Sequence, residues 1–305
     1  MPKTAPAALL AVLLLLVVPA LSGCDRGDAA DGRPRVLATF TVLADIGQNV
    51  AGDRLTVESL TKPGAEIHGY EPTPADVRRA AKADLIIENG MNLEAWFGRF
   101  VADLDVPHVV ASDGVEPIDI AAEAYAGKPN PHAWMSPRSA EIYVDNLVRA
   151  FSDLDPDGAA EFAANGEAYK EQLRAVRGEL TDALGDLPAH QRALVTCEGA
   201  FSYLARDTGL TESYIWPVNA EAQATPAQMA GTIDFVRKND VPAVFCESTV
   251  SDAPMRQIVS ATDARFGGTL YVDSLSAAGG PVPTYLDLLR HDTELIVDGL
   301  TGDRR

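Results

Sequence analysis

The sequence is poor in positive charge. Its 25 Lys and Arg residues stand against 44 Asp and Glu residues, and the formal net charge at pH 7 is −19. A surface of this sign repels phosphate groups, which argues against a DNA- or RNA-binding protein. The negative charge attracts cations in general, but it acts as a diffuse field and does not by itself define a binding site.

Several motifs of enzymes are missing as well. The sequence contains no nucleophile motif and no glycine-rich phosphate-binding loop. Three of its five histidines are scattered: His108 lies in a predicted strand, His190 at a linker edge and His291 in the last predicted helix. A metal-dependent enzyme needs an open coordination position and a nearby general acid or base. We therefore predict that the protein is not an enzyme.

An apolar run near the N terminus is too short to be a permanent membrane helix. Ala7 to Val18 is apolar throughout, whereas a membrane span takes about 20 residues. The following tetrapeptide, Leu21-Ser22-Gly23-Cys24, resembles the bacterial lipoprotein cleavage box. We expect residues 1–23 to be a signal peptide, Cys24 to carry lipid and residues 24–34 to be a tether. An ordinary secretory cleavage site with an incidental cysteine is the alternative.

Cysteine is scarce, with three in the chain. If Cys24 carries lipid, Cys197 and Cys246 remain in an oxidising compartment where pairing is permitted. Both lie at predicted strand ends in the second half of the chain. If these strands end side by side, a disulfide is geometrically possible. Two buried free thiols are the alternative.

Strands and helices alternate throughout the rest of the chain. The predicted strands are residues 36–40, 55–60, 84–90 and 107–111 in the first half, and 193–197, 213–216, 242–247 and 269–273 in the second. Helices are predicted between them, including one over residues 93–104. This alternation is typical of an α/β protein built from βα units with a mainly parallel sheet.

One predicted helix is unusually long. Residues 158–184 carry apolar side chains at three-to-four spacing, and a helix of this length would extend roughly 40 Å. Such a helix is suited to bridging two domains. We expect an N-terminal lobe at residues 35–156, a bridging helix at 157–187 and a C-terminal lobe at 188–305.

Four ligand-type side chains lie where predicted strands lead into helices. His68 lies in a polar loop before a helix start that Thr73 and Asp76 are expected to cap. The other three at similar junctions are His132, Glu198 and Asp273. In open α/β sheets, ligands bind at the carboxyl ends of the strands, so two facing lobes would bring these four side chains together.

Taken singly, each of the four has an ordinary alternative role. Glu198 could cap the following helix, Asp273 could belong to a turn, and the histidines could be loop residues. Together, two imidazoles and two carboxylates would neutralise a divalent cation. Up to six donor atoms favour Mn²⁺ or Fe²⁺ over Zn²⁺, although affinity alone follows the Irving–Williams order and favours Zn²⁺.

The segments around these four residues resemble the metal-site motifs of one family, the cluster A-I (cluster 9) metal-binding lipoproteins of bacterial ABC importers. The matching segments are Ile67 to Asp76, Asn130 to Trp134, Glu198 to Phe201 and Tyr271 to Leu275. The resemblance implies two (β/α)₄ lobes with the metal between them, and a permease with its ATPase as partners. It assigns His68, His132, Glu198 and Asp273 as the metal ligands.

Two departures from zinc-binding members of that family affect the choice of metal. Those members usually carry a third histidine where this chain has Glu198, and they often have a His-rich loop where residues 114–130 contain no histidine. Both departures indicate the manganese or iron branch. Mn²⁺ is therefore the expected metal, with Fe²⁺ and Zn²⁺ as alternatives.

The expected function is capture of a divalent metal and its delivery to an ABC permease. We expect a monomer, exported and anchored by lipid to the outer face of the cytoplasmic membrane, on the periplasmic side if the host has two membranes. An exported metal-dependent hydrolase and a surface adhesin lipoprotein are the alternatives.

Overall fold

A computed structural model describes residue 1 and residues 32–121, 125–185, 187–188, 191–218 and 224–302. The predicted signal peptide, Cys24 and His190 lie outside the described residues, and lipidation of Cys24 stays a prediction. Arg33–Arg305 form one compact unit. Within the described ranges, every helix is too short or too polar to cross a bilayer.

The first half of this unit is built on a four-stranded parallel sheet with the order β2-β1-β3-β4. Its strands are β1 (Arg35–Ala38), β2 (Thr56–Ser59), β3 (Leu85–Glu88) and β4 (His108–Val110). Its helices are α1 (Thr41–Ala51), α2 (Pro74–Ala80), α3 (Phe97–Phe100) and α4 (Pro137–Leu154). The central strand β1 is nearly buried, as expected for a strand covered on both faces.

The second half contains two parallel strand pairs, β5-β6 and β7-β8. Its strands are β5 (Ala193–Glu198), β6 (Thr211–Trp216), β7 (Ala243–Glu247) and β8 (Arg265–Leu270). Its helices are α6 (Ser202–Thr208), α7 (Pro226–Lys238), α8 (Ala253–Ala261) and α9 (Tyr285–Thr301). A disulfide between Cys197 and Cys246 joins β5 to β7, with their Cα atoms 4.9 Å apart.

The long helix α5 (Ala159–Gly185) contains 27 residues and connects the halves. It packs against α1 and α4 of the first half and against α9 of the second. Its buried face carries apolar side chains at helical spacing, including Phe162, Tyr169 and Leu173. The predicted α/β architecture, with parallel strands on either side of one long helix, is confirmed.

Two predicted elements differ from the structure. The helix predicted over residues 93–104 is wrong, because only α3 is helical there. Met91 and Asn92 adopt left-handed φ values of 53° and 62°, and the Glu94 carboxylate accepts the backbone N–H groups of Asn89 and Gly90 at 2.8 and 3.3 Å. These contacts build successive turns in place of a regular helix.

The last strand begins earlier than predicted and ends before Asp273. The apolar pattern predicts a strand at residues 269–273, whereas β8 spans Arg265–Leu270. Gly267 and Gly268 interrupt the apolar pattern in the first part of β8. Packing requires glycine at position 267, because a Cβ there would lie 2.3 Å from the Phe245 ring. Asp273 therefore lies in the loop that follows β8.

Candidate functional site

Side chains of Glu66 and Trp96 hold the backbone of the His68 loop, which lies between β2 and α2. The Glu66 carboxylate accepts the backbone N–H groups of His68 and Gly69 at 2.6 and 2.8 Å. The indole N–H of Trp96 donates to the Ile67 carbonyl at 3.1 Å. The predicted helix cap after the loop is confirmed, since Thr73 and Asp76 form a reciprocal capping box. The backbone at His68 is thus held by contacts within the protein itself.

His132 lies immediately before a short 3₁₀ turn at Ala133–Met135. Asn130 sets the orientation of the His132 imidazole. Its Oδ1 atom accepts the His132 backbone N–H at 3.0 Å and lies 2.9 Å from His132 Nδ1. The Asn130 amide nitrogen donates to the Gly199 carbonyl at 2.6 Å. That contact identifies which amide atom is the oxygen, so Nδ1 carries the proton and Nε2 presents its lone pair.

Glu198 is the last residue of β5, and its backbone is held from both sides. Its N–H donates to Glu247 Oε2 at 3.1 Å, and its carbonyl accepts the Thr196 hydroxyl at 2.7 Å. The preceding residue is Cys197, which is in the disulfide with Cys246. The end of β5 is therefore attached to β7 both covalently and through a buried carboxyl group.

Asp273 lies in a loop that is tied to the first half of the chain. The Trp134 indole N–H donates to the Val272 carbonyl at 3.1 Å, and the Leu275 N–H donates to the Thr41 hydroxyl at 2.9 Å. Asp273 Oδ2 lies 3.4 Å from the Thr249 hydroxyl. Asp273 Oδ1 is buried and has no hydrogen-bond partner within the described residues. An orphaned buried carboxylate oxygen is costly unless a further group binds there.

The structure brings the four predicted residues together, and we call His68, His132, Glu198 and Asp273 the four-residue cluster. The two Nε2 atoms are 3.1 Å apart. Glu198 Oε1 lies 3.5 and 3.8 Å from the His68 and His132 Nε2 atoms, and Asp273 Oδ1 lies 3.9 and 3.7 Å from them. All four side chains are buried.

These separations fit a metal ion. Four atoms at such spacing surround a point about 2.2 Å from each, close to the distances of about 2.0–2.2 Å at which nitrogen and oxygen bind a metal such as zinc. The donor set has two nitrogens and two carboxylates, so it would neutralise a divalent cation. The orphaned Asp273 oxygen faces the same point as both imidazole nitrogens.

Burial shifts pKa values in the cluster. For the two histidines the pKa falls, which favours the neutral imidazole that can bind a metal ion. Burial lowers the pKa of His68 to about 4, and it lowers the pKa of His132 well below the ordinary value, with the neighbouring His68 adding to the effect. Burial raises the pKa of Asp273 to about 7, with a smaller contribution from the Glu66 charge. Both imidazoles are therefore neutral at neutral pH and could bind a metal ion without losing a proton, whereas a proton on Asp273 would compete with the metal.

The remaining described histidines lie apart from the cluster. His108 is in β4, 3.8 Å from the Glu88 carboxylate, and His291 in α9 is 3.2 Å from the Thr269 carbonyl. Neither faces the four ligand atoms, in agreement with the sequence analysis.

Two supporting residues were missed by sequence reasoning. Asn130 orients His132 and contacts the second half, and Glu247 positions the Glu198 backbone. A polar residue two positions before a histidine is a signal that could have drawn attention to Asn130. Glu247 has no comparable local signal, because its role depends on β5 and β7 lying side by side.

Comparison with known families identifies relatives along nearly the whole chain. The family model described as ZnuA, zinc-uptake complex component A, periplasmic, matches residues 36–299. The iron-binding protein YfeA of Yersinia pestis is 49% identical over 286 residues, which cover 93% of this chain and 92% of YfeA. The manganese ABC transporter substrate-binding lipoprotein PsaA of Streptococcus pneumoniae is 33% identical over 308 residues, covering 98% and 99% of the two chains.

Solved structures give the same result for the fold. The Mn-bound periplasmic metal binding protein from Candidatus Liberibacter asiaticus superposes with a TM-score of 0.83 at 39% identity. The match covers 88% of this chain and 100% of that protein. These similarities extend over both halves and the helix between them.

Proposed function

Because the chain belongs to the ZnuA family, we propose that it captures Mn²⁺ at the four-residue cluster and delivers the ion to the permease of an ABC importer. The family is one of solute-binding proteins, so the chain is the substrate-binding component of a metal importer and not an enzyme. Fe²⁺ is the first alternative substrate and Zn²⁺ the second.

The observation that carries this proposal is the convergence of four buried ligand atoms with nitrogen–nitrogen and nitrogen–oxygen separations of 3.1 to 3.9 Å. The carboxylates of Glu198 and Asp273 can each offer a second oxygen, which allows more than four bonds. Hard oxygen donors in that number suit Mn²⁺ and Fe²⁺ better than Zn²⁺. The manganese- and iron-binding relatives support the same choice.

The proposed partners are the membrane permease and its ATPase. Relatives are named as substrate-binding lipoproteins of metal ABC transporters, which supports this assignment. We further propose that the mature chain is a monomer tethered by lipid on Cys24, exposed on the outer face of the cytoplasmic membrane. In this proposal the halves before and after α5 act as two lobes that hold the ion between them.

The test is elemental analysis of protein purified from its own host, combined with competition titrations of Mn²⁺ against Zn²⁺ and Fe²⁺. One manganese ion per chain, retained at the four-residue cluster, is expected. A chain that contains only zinc would contradict the choice of manganese, and a chain without any transition metal would contradict the proposed function.

Metal binding should depend on pH through Asp273. Its pKa of about 7 in the metal-free protein means that a proton must be displaced below that pH, whereas His68, with a pKa of about 4, stays neutral. We expect the Mn²⁺ affinity to fall about tenfold per pH unit below pH 7. Calorimetry in buffers of different ionisation enthalpy should detect up to one proton released per ion at roughly pH 6. Affinity that stays constant down to roughly pH 5 would contradict this role of Asp273.

Asn130 should contribute to affinity without touching the ion. Asn130→Ala removes the acceptor that fixes the His132 tautomer, and we expect a loss of about 10- to 100-fold in Mn²⁺ affinity. Asn130→Asp keeps that acceptor and should lose less. Chelator competition measures both values, with circular dichroism as the check on folding. Equal affinities for Asn130→Ala and the unchanged protein would contradict the proposed positioning role.

A further inference from the structure

A small cavity of about 90 Å³ lies directly against His68. Its described wall includes His68, Asn92, Leu93, Ala95, Lys128 and Pro131. His68 is 8% exposed, whereas the other three members of the four-residue cluster are at most 1% exposed. The cluster is therefore approached from solvent on the side of His68.

The cavity extends from the protein surface to that imidazole. Asn92, Ala95 and Lys128 are exposed, whereas Leu93 and Pro131 are buried. Most of the other lining side chains are apolar. An ion that passes through this space leaves bulk water before it reaches His68.

The positively charged side chain of Lys128 lies in the exposed part of the cavity wall. Among the described residues of the wall, Lys128 carries a positive charge and none is a carboxylate. The Lys128 Nζ atom lies 5.2 Å from the centre of the Tyr125 ring, a separation at which the ring attracts an ammonium group. A positive charge beside the path of a cation is unexpected in a chain with a net charge of −19.

Backbone contacts fix the segment that carries Lys128. The Ile120 N–H donates to the Lys128 carbonyl at 2.9 Å. Two positions further out on each side, the Tyr203 hydroxyl donates to the Asn130 carbonyl at 2.7 Å and accepts the Ile118 N–H at 3.2 Å. The backbone that carries Lys128 in the wall of the cavity is therefore held by contacts from both halves of the chain.

We propose that this cavity is the route by which the metal ion reaches and leaves the four-residue cluster, and that the charge of Lys128 slows its passage. The inference rests on the proposed function, because it assumes that the cluster binds a divalent cation. A unit charge at a distance on the order of 10 Å changes the population of a passing cation by a few-fold. The route and the charge can be tested separately.

The route is tested by filling the cavity. Ala95→Trp places a large side chain in its wall at an exposed position, and Ala95→Ser is the matched control. With Mn²⁺ and a fluorescent chelator in stopped-flow experiments, Ala95→Trp should lower the association and dissociation rates together by about fivefold or more, with Kd unchanged within about twofold. Rates equal to those of Ala95→Ser, in a folded variant, would overturn the route.

The charge is tested at Lys128 itself. Lys128→Gln and Lys128→Glu should raise the association rate by about three- and tenfold at low salt, and the gain should shrink at about 0.5 M NaCl. Lys238→Glu, at the end of α7 away from the cavity, makes the same change in net charge as Lys128→Glu. Equal rates for these two glutamate variants would overturn the role of Lys128.

These outcomes are distinguishable from a failure of the proposed function. A chain that binds one Mn²⁺ but shows no rate change in any variant would refute both the access route and the role of Lys128, and would leave the proposed function intact. A chain that binds no Mn²⁺ would refute the proposed function, and the inference would fall with it.

Discussion

Asp273→Asn is expected to lower the Mn²⁺ affinity by about 100-fold or more, and at the same time to stabilise the metal-free protein. Replacing a residue that only supports a ligand typically costs 10- to 100-fold, so loss of a charged ligand should cost at least about as much as the upper end. The three remaining ligands and the new amide would together carry one negative charge, which is too little to neutralise a divalent cation. The shape of the side chain is nearly unchanged, so a folding defect is not expected.

The stabilisation follows from the environment of the same carboxylate. Asp273 Oδ1 is buried without a hydrogen bond, and burial raises the pKa of Asp273 to about 7. Because the folded-state pKa lies above the unfolded value, the metal-free protein loses stability as the pH rises from about 4 through about 7. Asp273→Asn removes this penalty, which we expect to raise the unfolding free energy at neutral pH by about 1 kcal/mol.

Thermal unfolding with and without Mn²⁺ measures both effects. Metal-free Asp273→Asn should melt about 2 °C above the unchanged protein and should gain little on addition of Mn²⁺. Asp182→Asn, an exposed change in α5 of the same chemical kind, should alter neither property. An Asp273→Asn variant that is less stable without metal would contradict the proposed destabilising effect of the buried carboxylate. A variant that keeps full Mn²⁺ affinity would contradict the role of Asp273 as a ligand.

The second large effect is expected on breaking the disulfide. Cys197 and Cys246 are 49 residues apart in sequence, and a cross-link closing a loop of this length stabilises a protein by about 4 kcal/mol in the chain-entropy model. Cys197 also precedes Glu198 directly. Reduction should therefore lower the unfolding free energy by about that amount and weaken Mn²⁺ binding by about tenfold, since the end of β5 keeps its hydrogen bond to Glu247 but loses its covalent attachment to β7.

The experiment uses a phosphine reductant, because thiol reductants bind metals themselves. The double variant Cys197→Ser/Cys246→Ser is the matched control, since it should behave like the reduced protein and should not respond to reductant. Alkylation and mass spectrometry on the exported protein establish whether the thiols are paired. Two alkylatable thiols there, or identical affinities before and after reduction, would contradict the proposed role.

The sequence was informative wherever a signal is local. The start of α2 is predicted from Thr73 and Asp76, and the capping box that they form is present. The same arrangement, Thr225-Pro226 with Gln228 reaching back, begins α7. The His68 loop could be placed for the same reason. The long helix was predicted to within one residue at each end, because its apolar side chains repeat over many turns.

Features that depend on distant residues could not be predicted in this way. The Trp134–Val272 hydrogen bond joins positions 138 residues apart, and it helps to place Asp273 beside the histidines. The orphaned oxygen of Asp273 is likewise visible only once the chain has folded. The helix predicted over residues 93–104 extends beyond α3 for a similar reason, because the left-handed backbone at Met91 and Asn92, just before it, leaves no mark in the hydrophobic pattern.

The central claim is that the four-residue cluster binds one divalent metal ion, and anomalous diffraction tests it most directly. Crystals of the Mn²⁺-loaded protein, measured on both sides of the manganese absorption edge, should show one peak within bonding distance of both Nε2 atoms and both carboxylates. A principal peak elsewhere, or a manganese ion that contacts neither histidine, would contradict the claim.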